Sequence, residues 1–138
     1  MKLFLDANII YSAAKSKLGA SYLIFQLRGR FNFQLISSRL ALVEAERNIT
    51  EKKSSETVES FYKLIEVIKI ISVDSKQAKH YYKGVIEEKD APILYGAKQS
   101  KADYLITLDR KHFFTNEIKK ERFPFKILIP GDFINNLM

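Results

Sequence analysis

The apolar residues of this chain switch repeatedly between two periods, and that switching constrains the fold more than any other feature. Short apolar runs of strand length occur at Lys2–Leu5, Phe33–Ile36, Ile68–Val73, Tyr104–Thr107 and Phe125–Ile129. Between them the spacing becomes helical. Ala20, Leu23, Ile24 and Leu27 recur at i, i+3, i+4 and i+7, as do Ala78, Tyr81, Tyr82 and Val85. Val58, Phe61, Ile65 and Ile68 form another stripe, and Leu42, Ala45 and Ile49 a shorter one that Ser38 is placed to cap. Strands that read as continuous apolar runs are buried on both faces, which in a β–α–β order means a parallel sheet covered by helices. The expected fold is α/β, a three-layer α/β/α sandwich with a central, mainly parallel sheet.

A length of 138 residues, 46% of them apolar, fits a single domain over 1–138 with a real core. There is no internal repeat or Pro/Gly/Ser-rich linker, and the polar stretch Thr50–Glu56 reads as a loop between helices. No apolar run approaches the ~18–20 residues of a membrane span. Asp6 interrupts the opening residues before a signal-peptide core can develop, so a cytoplasmic protein without a membrane partner is expected. The absence of cysteine excludes disulfide scaffolds, thiolate metal sites and a cysteine nucleophile, and it suits a reducing compartment. With two histidines only, any bound metal must be held by carboxylates. The net charge of +7 favours polyanionic partners, nucleic acid or an acidic protein, although a lysine-rich surface serving solubility gives the same count.

Ligands of parallel sheets sit beyond the carboxyl ends of the strands. Asp6 closes the first apolar run, and Asp109 follows the run Tyr104–Thr107. Asp90 opens, ahead of Pro92, a helix that feeds that same run, so it belongs to the same edge. Helix capping would account for each aspartate singly; the convergence of three favours a site. Glu44 lies two turns into its helix, roughly 9 Å from the first turn, with its side chain leaning back toward the rim. Glu46 is the rival for that position. Carboxylates so close repel unless a cation neutralises them, and an all-oxygen site suits Mg²⁺ or Mn²⁺. Such an ion acidifies bound water and stabilises charge on a phosphate, which phosphodiester hydrolysis on a basic surface requires. Arg110, Lys111, Lys98 and Lys101 are candidate phosphate contacts flanking the rim. His112 reads as an ordinary polar helix residue and His80 as structural, while the 7 tyrosines and 10 phenylalanines read as core.

Four segments, in this order, carry a family resemblance: Leu5-Asp6-Ala7-Asn8-Ile9-Ile10, Glu44 in a mid-chain helix, Asp90-Ala91-Pro92-Ile93-Leu94-Tyr95-Gly96-Ala97, and Ala102-Asp103-Tyr104-Leu105-Ile106-Thr107-Leu108-Asp109. From Lys2 to about Ile129 the chain resembles the PIN-domain family of metal-dependent ribonucleases, which includes the VapC-type toxins. The resemblance implies an acidic quartet of Asp6, Glu44, Asp90 and Asp109, with Asp6, Asp90 and Asp109 holding Mg²⁺ or Mn²⁺ and Asn8 and Thr107 in support. It also implies RNA as substrate, a small antitoxin protein as partner, and a homodimer formed through the Ala20–Leu27 and Val58–Ile68 helices. The chain departs from the family at Leu108, where a glycine is common. A housekeeping RNA-processing nuclease and a non-catalytic RNA- or protein-binding module are the alternative readings, and a flap-type DNA nuclease would need more helices than this length allows. A haloacid dehalogenase-type phosphotransferase would need a second acid where Asn8 stands, and a receiver domain would need acids adjacent to Asp6.

Overall fold

In the computed structural model, which describes residues 1–52 and 54–137, each of the five apolar runs overlaps a strand. These are β1 (Lys2–Leu5), β2 (Gln34–Ser38), β3 (Ile68–Ile71), β4 (Tyr104–Ile106) and β5 (Lys126–Leu128). All pair in parallel, in the order β3-β2-β1-β4-β5. The chain steps outward from β1 to β3, then crosses back to lay β4 beside β1. The order therefore reverses at β1 and β4, and the crevice beyond their carboxyl ends is where such a sheet opens.

Nine helices occur among the described residues: α1 (Ala7–Lys15), α2 (Ala20–Phe31), α3 (Arg39–Lys52), α4 (Ser55–Ile65), α5 (Ser75–Tyr81), α6 (Ala91–Gln99), α7 (Arg110–Phe113), α8 (Asn116–Lys120) and α9 (Pro130–Leu137). One group packs around α1, which contacts α2, α3 and α4, while α9 lies against α2. The other group is α5 with α6. Between these layers Leu3, Phe4 and Leu5 of β1 are fully buried, so the central strand carries the heart of the core. Phe4 points toward α6. A Cβ at Gly96 would stand 2.5 Å from the Phe4 ring, so only glycine lets this helix come so close to the sheet. Strand alternation turns Leu3 and Leu5 to the opposite face.

Short polar side chains make the turns that leave the strands. Ser38 ends β2 and accepts a hydrogen bond from the Ala41 N–H (3.1 Å), capping α3, and Asp74 caps α5 in the same way. Ser37 donates to the Leu5 carbonyl at 2.7 Å and ties the ends of β1 and β2 together.

Several expectations need correction. The polar stretch is not a loop throughout: α3 runs through Lys52, Ser54 caps α4, and Ser55 and Glu56 are helical; Lys53 lies outside the described residues. Tyr82 and Val85 lie past the end of α5, because the chain turns there and Gly84 takes φ +83°. Ile68 belongs to β3 and not to the preceding helix. His80 is exposed on α5, and among the aromatic residues Tyr62 and Tyr81 are surface groups. On α2 and α4, Ile24, Phe25, Phe61 and Leu64 are buried, while Leu23, Leu27, Val58 and Ile65 are half-buried. No described helix is long and apolar enough to cross a membrane.

Candidate metal centre

Four acids from four segments line one cleft of about 370 Å³. Asp6, Glu44, Asp90 and Asp109 share it with Asn8, Tyr11, Asn48 and Lys89. It sits beyond the carboxyl ends of β1 and β4, at the reversal of strand order. Glu44 reaches it from α3, on the same side as Leu40 and Ala41. Glu46 does not: it accepts a hydrogen bond from the Tyr62 hydroxyl at 2.8 Å, between α3 and α4.

Asp6 is the most deeply set of the four, 6% exposed. Its Oδ1 accepts from the Ala7 N–H at 2.7 Å, so it does cap α1. Its Oδ2 accepts from the Thr107 hydroxyl at 2.8 Å and from the Asn8 amide at 3.3 Å. Burial pushes its pKa up to about 6, against the lowering effect of the Thr107 and Ala7 hydrogen bonds, and the charges of Glu44 and Asp90 add to the rise. Asn8 and Thr107 knit the two rims of the crevice. The Asn8 carbonyl accepts from the Leu108 N–H at 3.0 Å, and the Thr107 hydroxyl accepts from the Asp109 N–H at 3.1 Å.

Asp90 behaves differently from its neighbours. It precedes α6 but makes no side-chain capping bond, so capping does not explain it. Its Oδ2 is buried and has no hydrogen-bond partner. Burial raises its pKa, Lys89 and His112 pull it down, and Asp109 and Glu87 push it up. Asp109 caps α7 through Oδ1, which accepts from the His112 N–H at 3.1 Å, while its Oδ2 lies 2.8 Å from His112 Nδ1. His112 is therefore no ordinary polar helix residue: its side chain is 16% exposed and faces three carboxylates, those of Asp109, Asp90 and Glu87.

Glu87, His112 and Lys89 are the site residues that spacing alone does not single out. Glu87, Asp90 and His112 offer ligand atoms within 4.8 Å of one another. The only available signal is local, since Glu87 stands three residues before Asp90 and His112 three after Asp109. Among the expected phosphate contacts, Arg110 and Lys111 are exposed at the start of α7, next to the cleft. Lys98 and Lys101 are not brought to it. α6 runs from the acidic rim to the opposite edge, where Lys98 lies over the Tyr81 ring (4.9 Å) and Lys101 precedes β4.

An orphaned, buried carboxylate oxygen, a carboxyl pushed up to about 6 and a donor set rich in oxygen all fit a hard divalent cation. Asp6, Asp90 and Asp109 could hold it, with Glu44 across the cleft.

A PIN-domain family model matches residues 2–111. The structure is similar to that of VapBC2 from Rickettsia felis bound to a promoter DNA fragment (TM-score 0.67, 19% identity, covering 94% of this chain and 98% of that one). It is also similar to a toxin-antitoxin complex from Klebsiella pneumoniae (0.62, 17%, 93% and 97%) and to FitAcB from Neisseria gonorrhoeae (0.60, 16%, 94% and 98%). At these identities the likeness is one of fold. No curated protein sequence matches significantly. The family match over most of the chain, on the fold and the acidic cleft described above, makes this protein a member of the PIN-domain family of nucleases.

Proposed function

We propose that this protein is an endoribonuclease dependent on Mg²⁺ or Mn²⁺, acting as the toxin of a toxin-antitoxin pair. The observation that carries the reading is the cleft itself: four carboxylates of separate origin, one with a buried oxygen that nothing in the protein satisfies. Asp6, Asp90 and Asp109 would hold the cation, whose charge would favour the ionised form of Asp6 against the burial that raises its carboxyl. A divalent ion there supplies an acidified water and charge stabilisation at the scissile phosphate. The chain's own residues do the rest. Asn8 and Thr107 fix Asp6 and the loop before Asp109, so the carboxylates keep their places without reorganising. Glu44, exposed across the cleft, is free to accept a proton. Lys89, Arg110 and Lys111 offer positive charge to the RNA backbone.

The likeness to VapBC2, FitAcB and the Klebsiella complex supports the toxin role. A small antitoxin would restrain the enzyme by laying a basic side chain, an arginine most simply, across the acidic rim. The working unit in this reading is a homodimer in the cytoplasm. The test is RNA cleavage by the purified chain: activity requires Mg²⁺ or Mn²⁺ and disappears in excess EDTA. Cleavage that persists in chelator, with contaminating nucleases excluded, rules the mechanism out.

A further inference from the structure

Asp6 and Asp109 are held in opposite ways. Asp6 is fixed by three residues, Ala7, Asn8 and Thr107. The Asp109 carboxylate is fixed by one. Both of its carboxylate oxygens are engaged by His112, Oδ1 by the backbone N–H at 3.1 Å and Oδ2 by ring Nδ1 at 2.8 Å. A carboxylate only accepts, so Nδ1 is the donor. The ring is itself confined: Nε2 lies 3.4 Å from Glu87 Oε2, and Nδ1 lies 3.8 Å from Asp90 Oδ2. His112 thus stands between the segment carrying Glu87 and Asp90 and the segment carrying Asp109.

We infer that His112, braced by Glu87, is a positioning residue that sets the orientation of Asp109 and its separation from Asp90. The inference rests on the metal-dependent nuclease reading. The imidazole is a support and not a ligand: Nδ1 donates to Asp109, and Nε2 faces the exposed Glu87 carboxylate at 3.4 Å. Partners of this kind behind a ligating carboxylate typically contribute about 10–100-fold in metal affinity.

The two ring nitrogens can be separated by substitution. In His112→Asn the side-chain amide nitrogen stands near the place of Nδ1 and keeps a donor for Asp109, but nothing reaches Glu87. In His112→Gln the amide reaches toward the place of Nε2 and leaves Oδ2 of Asp109 without its donor. Mn²⁺ affinity of the full chain without RNA, measured by calorimetry, is the readout, with melting of the metal-free proteins as the check on folding. The expected result is a loss of about 10–100-fold for His112→Ala and His112→Gln, a loss of about threefold or less for His112→Asn, and an intermediate loss for Glu87→Gln. Should His112→Ala fail to fold, the Asn and Gln variants decide the matter between them. Nitrogen hyperfine coupling to bound Mn²⁺ would make the ring a ligand and overturn the inference, as would wild-type affinity in His112→Ala or better binding by Gln than by Asn. A wild-type protein that binds no Mn²⁺ overturns the parent reading and this one with it. Normal wild-type binding with an indifferent His112 overturns this one alone.

Discussion

Strand β4 is flanked by two aspartates, Asp103 at its entry and Asp109 just past its exit, and they have different fates. Asp103 is exposed, and its Oδ2 accepts from the Lys2 N–H at 2.7 Å, which pins the start of β1 to the start of β4. It borders a hollow of about 550 Å³ lined also by Met1, Tyr104, Phe123, Pro124, Phe125 and Lys126, where it is the only acid among the described residues. Asp109 shares its cleft with Asp6, Glu44 and Asp90. The difference lies in the number of carboxylates brought together and not in free oxygens, since both oxygens of Asp109 are engaged by His112. Parallel strands send every following turn to one edge, so acids placed just after β1 and β4 meet there, and acids placed just before them do not.

The comparison is broken most directly by exchanging the two acids for amides. On the proposed function, Asp109→Asn should reduce RNA cleavage by about 10³-fold or more, since several kcal/mol of charge stabilisation at the phosphate would depend on the cation it would help to hold. Asp103→Asn should stay within about twofold of wild type, because it loses one exposed hydrogen bond. Steady-state cleavage of a defined RNA checks both. Equal damage from the two substitutions would show that the edges of β4 do not differ in kind.

A smaller effect sharpens the same point through stability. The pKa of Asp6 lies at about 6 in the fold, against 3.8 for the ordinary carboxyl, with burial the main cause. The folded state therefore holds a proton that the unfolded chain releases, and the associated stability is fully present below about pH 4 and lost as pH rises through about 6. The shift corresponds to about 3 kcal/mol. Metal-free Asp6→Asn should accordingly melt several degrees above the metal-free wild type at pH 7.5, and the gain should vanish near pH 4. A variant that melts lower at pH 7.5 would mean that the hydrogen bonds from Thr107 and Asn8 outweigh the burial of the charge.

How much of this was legible in the sequence depended on the range of the interaction. The five strands could be read because a parallel sheet buried on both faces leaves uninterrupted apolar runs such as Leu3-Phe4-Leu5. The acids could be read because they follow those runs. α1 was harder to see, since its apolar residues Ile9 and Ile10 follow Asp6 closely and merge with the β1 run. Lys98 and Lys101 are near Asp90 in sequence but not in space: α6 carries them about a helix length away. The bracing of Asp109 by His112 and Glu87 joins two segments through side chains, and no periodicity records that. Glu46 is a rival to Glu44 in the sequence because they stand two residues apart, and what separates them is long-range: Glu44 lines the cleft, while Glu46 is held by the Tyr62 hydroxyl, sixteen residues on.

Whether the four acids form a cation site is decided by Mn²⁺ titration of the metal-free protein, followed by thermal melting. The wild type should gain stability in proportion to the logarithm of Mn²⁺ concentration once the ion exceeds its dissociation constant, while Asp6→Asn and Asp90→Asn should gain none. A wild-type protein whose melting temperature stays flat up to about 10 mM Mn²⁺, or variants that respond as it does, would contradict the account.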